Sequence, residues 1–121
     1  MWIIMIFIQD KLIEMYNKFC KSYREIIEIN YSEAIEIAKN NPDVIFLDVR
    51  SEQEYKENHI NNSINIPLYQ LEQKAENMLK DKNKIIIAYC HSGKRSKKAV
   101  KILKNLRYSN IYNLKGGIEQ V

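Results

Sequence analysis

Cys90 ends the apolar run "KIIIAY" and is followed at once by His91, Ser92, Gly93, Lys94, Arg95 and Ser96. A thiol at the end of a strand, a glycine turn, two cations and the first amides of a helix are the parts that ionise a cysteine. The opening amides of a helix lack carbonyl partners and collect around an anion when the chain folds back over them. An ordinary thiol is only about 3% thiolate at neutral pH, so stabilising the anion is what makes a nucleophile of it. The alternative is a small hydrophobe closing a core strand, as free cysteines often are. A core position is seldom followed directly by five polar or turn residues, which favours the reactive reading. Cys20, beside Phe19 and Tyr16 on an apolar helical face, reads as structural.

The elements that must place Cys90 follow from periodicity. Short runs rich in isoleucine and valine at 25–29, 44–49, 63–66, 84–89 and 110–114 predict five strands. Helical patterns lie between them. Ser32 is expected to cap "EAIEIAKNN", Ser51 and Glu54 to form a capping box, Pro67 to precede "LYQLEQKAENMLK", and Ser96 to open "KKAVKILKNLRY". Alternating strands and helices predict a three-layer α/β/α domain around a mainly parallel five-stranded sheet. Ligands in such sheets sit beyond the carboxyl ends of the strands, so "DVRSEQEY" and "CHSGKRS" should open onto one rim. From Ser92 to Arg107 there are seven basic residues and no acidic one. Lys97 and Lys98 are expected in the first helical turn, where a cation is unfavourable and an anion should compensate. Lys101, Lys104 and Arg107 read as a solvated face.

With 121 residues, 45% of them hydrophobic and 28% charged, the chain suits one soluble domain that buries roughly two-thirds of its unfolded surface. Two cysteines with no CxxC, and isolated His59 and His91, fit neither a disulfide framework nor a metal site, and a reducing cytoplasm is expected. No metal or organic cofactor is expected. The apolar opening "WIIMIFI" is too short to span a bilayer. With Leu12, Met15, Phe19 and Tyr23 it predicts an amphipathic extension over 1–24 that packs on the domain of 25–121 or on a second subunit, a membrane-surface anchor being the alternative. Nucleic-acid binding is not expected, because no aromatic residue interleaves with the bases of 92–107.

Several motifs in order resemble the single-domain rhodanese (sulfurtransferase) family over roughly residues 25–121. They are "IFLDVRSEQEYKENHINNSINIP", "YCHSGKRS" and "NLKGGIEQV". Asn58 and Asn62 stand where glycine is usual in this pattern, and asparagine tolerates the positive φ such turns use. Val121 stands where the pattern usually has tryptophan, which bears on packing at the carboxyl end. The resemblance implies that Cys90 takes a sulfane sulfur from a donor such as thiosulfate and passes it to cyanide, a thiol or a protein acceptor. It implies an anion-binding loop of His91, Ser92, Gly93, Lys94, Arg95 and Ser96. Asp48 and Arg50 are expected to tie the loops together, Arg50 through Glu54, and His59 to be structural. Two rivals remain. A cysteine phosphatase or arsenate reductase resembles C-x5-R, whereas Cys90 to Arg95 is C-x4-R, a smaller ring suited to one sulfur; a non-catalytic interaction module would keep the fold alone.

Overall fold

Isoleucine, stiff at Cβ, is present in every strand, and the strands form within the expected runs. The computed structural model describes residues 9–17 and 25–121. In it β1 (Glu28–Ile29), β2 (Ile45–Asp48), β3 (Ile64–Asn65), β4 (Ile85–Tyr89) and β5 (Asn110–Leu114) pair in the order β1-β5-β4-β2-β3. Every pairing is parallel. The helices are α1 (residues 9–17), α2 (Tyr31–Asn40), α3 (Glu52–Glu57), α4 (Leu68–Met78) and α5 (Lys94–Asn105), with a terminal 3-10 turn at Gly117–Gln120.

Side chains alternate across a strand, so one run of sequence serves two cores. On one face Ile86, Ala88 and Cys90 of β4 and its exit meet Leu71 and Ala75 of α4 and Ala99, Val100 and Leu103 of α5. On the other, Ile87 and Tyr89 meet Ala34 of α2 with Ile29, Phe46 and Leu114. The sheet therefore has helices on both faces, the expected three layers. From β2 the chain steps outward to β3, then crosses back to β4 on the other side of β2 and onward to β5. The order reverses between β2 and β4, and a crevice opens at their carboxyl ends. Asp48 ends one of these strands and Cys90 follows the other.

Two helix starts differ from expectation. Asn30, not Ser32, caps α2: its Oδ1 accepts from the Glu33 amide at 2.8 Å while Glu33 Oε1 accepts from the Asn30 amide at 3.2 Å. Asn30 is still extended as it leaves β1, so the helix begins ahead of the serine. Likewise α5 opens at Lys94 rather than Ser96, because Gly93 at φ 101° turns the chain immediately after the strand. Lys97 and Lys98 thus fall beyond the first turn, and Glu28 of β1 pairs with Lys97 at 3.2 Å. The Ser51–Glu54 capping box forms as expected, and Pro67 precedes α4. Asn62 is left-handed at φ 64°, whereas Asn58 is extended at φ −163° and any residue would serve there.

Leu12, Ile13, Met15 and Tyr16 of α1 are exposed. Residues 2–8, Phe19, Cys20 and Tyr23, on which the expected amphipathic extension also rests, lie outside the described residues.

Candidate active site

The local chain makes the site. β4 runs straight to Cys90, Gly93 reverses the backbone, and α5 starts three residues past the thiol's immediate neighbour. The Gly93 amide donates to Cys90 Sγ at 3.0 Å. The Ser96 hydroxyl lies 3.4 Å from the same sulfur and 3.1 Å from the Gly93 carbonyl. Asn113 Nδ2 donates to that carbonyl at 3.3 Å, which fixes the turn from β5. Cys90 is 1% exposed. Burial is the largest single influence on its thiol and opposes ionisation, but the Ser96 hydroxyl and the amides of Ser96, Gly93 and Ser92 together outweigh it. The Cys90 pKa is held below the ordinary thiol value.

Ser96→Ala removes the hydroxyl from this set. In a Cys20→Ser background, the pH profile of iodoacetamide alkylation should move to higher pH, and alkylation near neutrality should slow several-fold. An unmoved profile would show that the hydroxyl does not stabilise the thiolate.

The flanking residues divide. Arg95 is held bidentately by Glu54 at 2.7 and 2.9 Å, a bond between α5 and α3 across 41 positions of sequence. Arg95 chiefly pulls the Glu54 carboxyl down to about 2. This corrects the expected partner of Glu54. Arg50 instead donates Nε and Nη2 to Asp48, with Nη2 to Oδ2 at 2.8 Å, and reaches the Asn58 carbonyl at 2.6 Å. Its fork lies back along the buried end of its own strand, whereas Glu54 faces across to α5. Lys94 is exposed and has no ion pair among the described residues, so it is the loop cation free to meet an anion. His91 Nε2 pairs with Glu119 at 2.8 Å and is not among the groups bonded to the sulfur. His59 stacks on Tyr55 at 3.9 Å, its Nδ1 2.7 Å from the Tyr55 carbonyl, a structural setting.

The 3-10 turn at the carboxyl end also supports the site, although no side chain in it marks it as doing so from sequence. The Ile118 amide donates to the Cys90 carbonyl at 2.8 Å and the Glu119 amide to that of His91 at 3.4 Å. Gly117 sits at φ 60°, where a Cβ would come within 2.4 Å of the Cys90 carbonyl oxygen and 2.5 Å of that of His91. The adjacent glycines of "KGG" were the only signal. Gly117→Ala should destabilise the fold by about 2–3 kcal/mol in urea unfolding and displace the thiol, lowering its alkylation rate. Wild-type stability and rate would show that the turn does not hold the loop.

Fold and site together define an α/β domain that places a cysteine, its thiol pKa lowered by surrounding donors, at the switch point of a parallel sheet. The rhodanese-like domain family model matches residues 31–121. The chain belongs to that family. It is 32% identical over 92 residues to the thiosulfate sulfurtransferase GlpE of Coxiella burnetii (strain RSA 331 / Henzerling II), covering 76% of this chain and 83% of that protein. It is 34% identical over 91 residues to the tRNA uridine(34) hydroxylase of Photorhabdus laumondii, covering 72% of this chain. It spans only 26% of that longer protein. The structure is similar to that of a rhodanese-related protein from Thermoplasma volcanium, with TM-score 0.66 and 34% identity over 77% of this chain and 87% of that one. Among the described residues no helix is long and apolar enough to cross a membrane.

Proposed function

We propose that the protein is a thiosulfate sulfurtransferase working through a persulfide on Cys90. The Cys90 thiolate attacks the outer sulfur of thiosulfate, the S–S bond of the donor breaks, and sulfite leaves with the bonding pair. Cyanide or a thiolate then attacks the outer sulfur of the persulfide, and Cys90 departs as thiolate, ready for another cycle. No oxidant or reductant is consumed. The observation that carries this reading is the convergence of the Gly93 amide and the Ser96 hydroxyl on Cys90 Sγ. The same donors serve the thiolate and the anionic persulfide, so little reorganisation separates the two half-reactions. Lys94 supplies the field that draws an anionic donor to the loop. Similarity to proteins named thiosulfate sulfurtransferases supports the same reading. A cytoplasmic location suits a thiol that must stay reduced between cycles.

Intact mass before and after thiosulfate tests it. The treated protein should gain one sulfur atom, mapped to the peptide bearing Cys90 and released as thiocyanate by cyanide. No gain would leave the non-catalytic module as the better reading. Turnover of p-nitrophenyl phosphate dependent on Cys90 would favour the phosphatase rival.

A further inference from the structure

Beside the cysteine loop, on the β1 side of α5, lies an open cavity of about 460 Å³. Ser92 and Gly93 form one wall, and Gly93 is the residue whose amide holds Cys90 Sγ. Lys94 and Lys97 of α5 and Lys115 beyond β5 bring three ammonium groups to it, against the single carboxylate of Glu28. Glu28 is matched to Lys97 at 3.2 Å, while Lys94 and Lys115 have no ion pair among the described residues. The cavity therefore carries an excess of two positive charges beside the loop whose Gly93 amide holds Cys90 Sγ. Its lining has no aromatic residue on which a base could stack and no hydrophobic side chain, the apolar surface there coming from backbone carbons and the stems of polar side chains. A small inorganic anion fills a fraction of such a volume, at about 30 Å³ per water-sized group.

Resting on the proposed sulfur transfer, we infer that this cavity selects the acceptor: an organic thiol bearing two or more carboxylates. Its carboxylates lie against Lys115, Lys97 and Lys94, and its thiolate approaches the loop past Ser92 and Gly93. The acceptor thiolate bonds to the outer sulfur of the Cys90 persulfide, the Cys90 S–S bond breaks, and Cys90 leaves as thiolate. The product is the acceptor's persulfide, and charge is conserved throughout.

The experiment uses the full chain loaded with thiosulfate and three acceptors that differ in charge: mercaptosuccinate with two carboxylates, 3-mercaptopropionate with one, and 2-mercaptoethanol with none. Comparing wild type with the double variant Lys97→Gln/Lys115→Gln cancels differences in thiol basicity. The loss in kcat/KM should grow with carboxylate number and be about tenfold larger for mercaptosuccinate than for 2-mercaptoethanol. That excess should shrink as salt screens the lysines. Equal losses across the three acceptors would overturn the inference. Calorimetric titration of unloaded protein with mercaptosuccinate reads the cavity without transfer, and binding there should weaken in the double variant. A chain that binds this way yet never gains sulfur on Cys90 would uphold the anion cavity and overturn the sulfurtransferase reading.

Discussion

Cys90→Ser is expected to abolish sulfur loading, with transfer from thiosulfate falling by about 10³-fold or more. A hydroxyl is close in size to a thiol and finds the same partners, the Gly93 amide and the Ser96 hydroxyl, so the variant should fold. What it lacks is a thiol, whose pKa those donors lower. The donors around position 90 offset the burial of a thiolate, but an alkoxide is far less accessible at neutral pH and forms no persulfide. Intact mass after thiosulfate should show no added sulfur on the serine variant, while Cys20→Ser should load as wild type does. Loading that persists without Cys90, or vanishes with Cys20, would place the chemistry elsewhere. Thermal unfolding of the serine variant beside wild type separates loss of chemistry from loss of fold.

Asp48→Ala should cost about 3–5 kcal/mol of stability, because it strips the partner from a buried cation. Asp48 is 0% and Arg50 3% exposed. The carboxylate also accepts the Arg50 amide at 2.9 Å, and the Arg50 guanidinium stands 5.9 Å over the Tyr89 ring. Burial alone would lower the Arg50 pKa, but Asp48, with Tyr89 and Glu54 after it, outweighs burial and keeps the pKa raised. Tyr89, pushed up to about 12 chiefly by burial, stays neutral beside it. Through the Asn58 carbonyl, Arg50 holds the end of α3, the helix whose Glu54 clasps Arg95 next to Cys90. A lower rate of persulfide formation should therefore accompany the lost stability. Urea unfolding of Asp48→Ala beside Asp48→Ala/Arg50→Met is the measurement, and removing both charges should recover much of the loss. A single variant within about 1 kcal/mol of wild type would mean that the pair is not what holds this end of the sheet.

The single chain of residues 84–96 carried most of its own meaning, since a strand, a glycine turn and a helix start are written in adjacent residues. Five runs of β-branched residues likewise announced five strands, and their separation by helical patterns announced parallel pairing. The differences at helix starts are small and local: Asn30 takes the cap from Ser32, and Gly93 draws the start of α5 back to Lys94. Each arose because a backbone angle, and not the identity of the nearest serine, decides where a helix begins.

Only tertiary structure could decide which charge meets which. Arg50 sits four residues from Glu54, yet the fork closest to that carboxylate comes from Arg95, 41 positions away, because α3 and α5 face each other across the crevice. The same holds for the terminal turn, whose Ile118 amide meets the Cys90 carbonyl because β5 runs parallel beside β4 and ends next to the loop. Sequence alone determined the cysteine loop between strand and helix and the layered fold, since those depend on periodicity and on neighbours along the chain. The partners of Arg95 and Gly117 depend on how separate elements converge in space, and no local pattern encodes that distance.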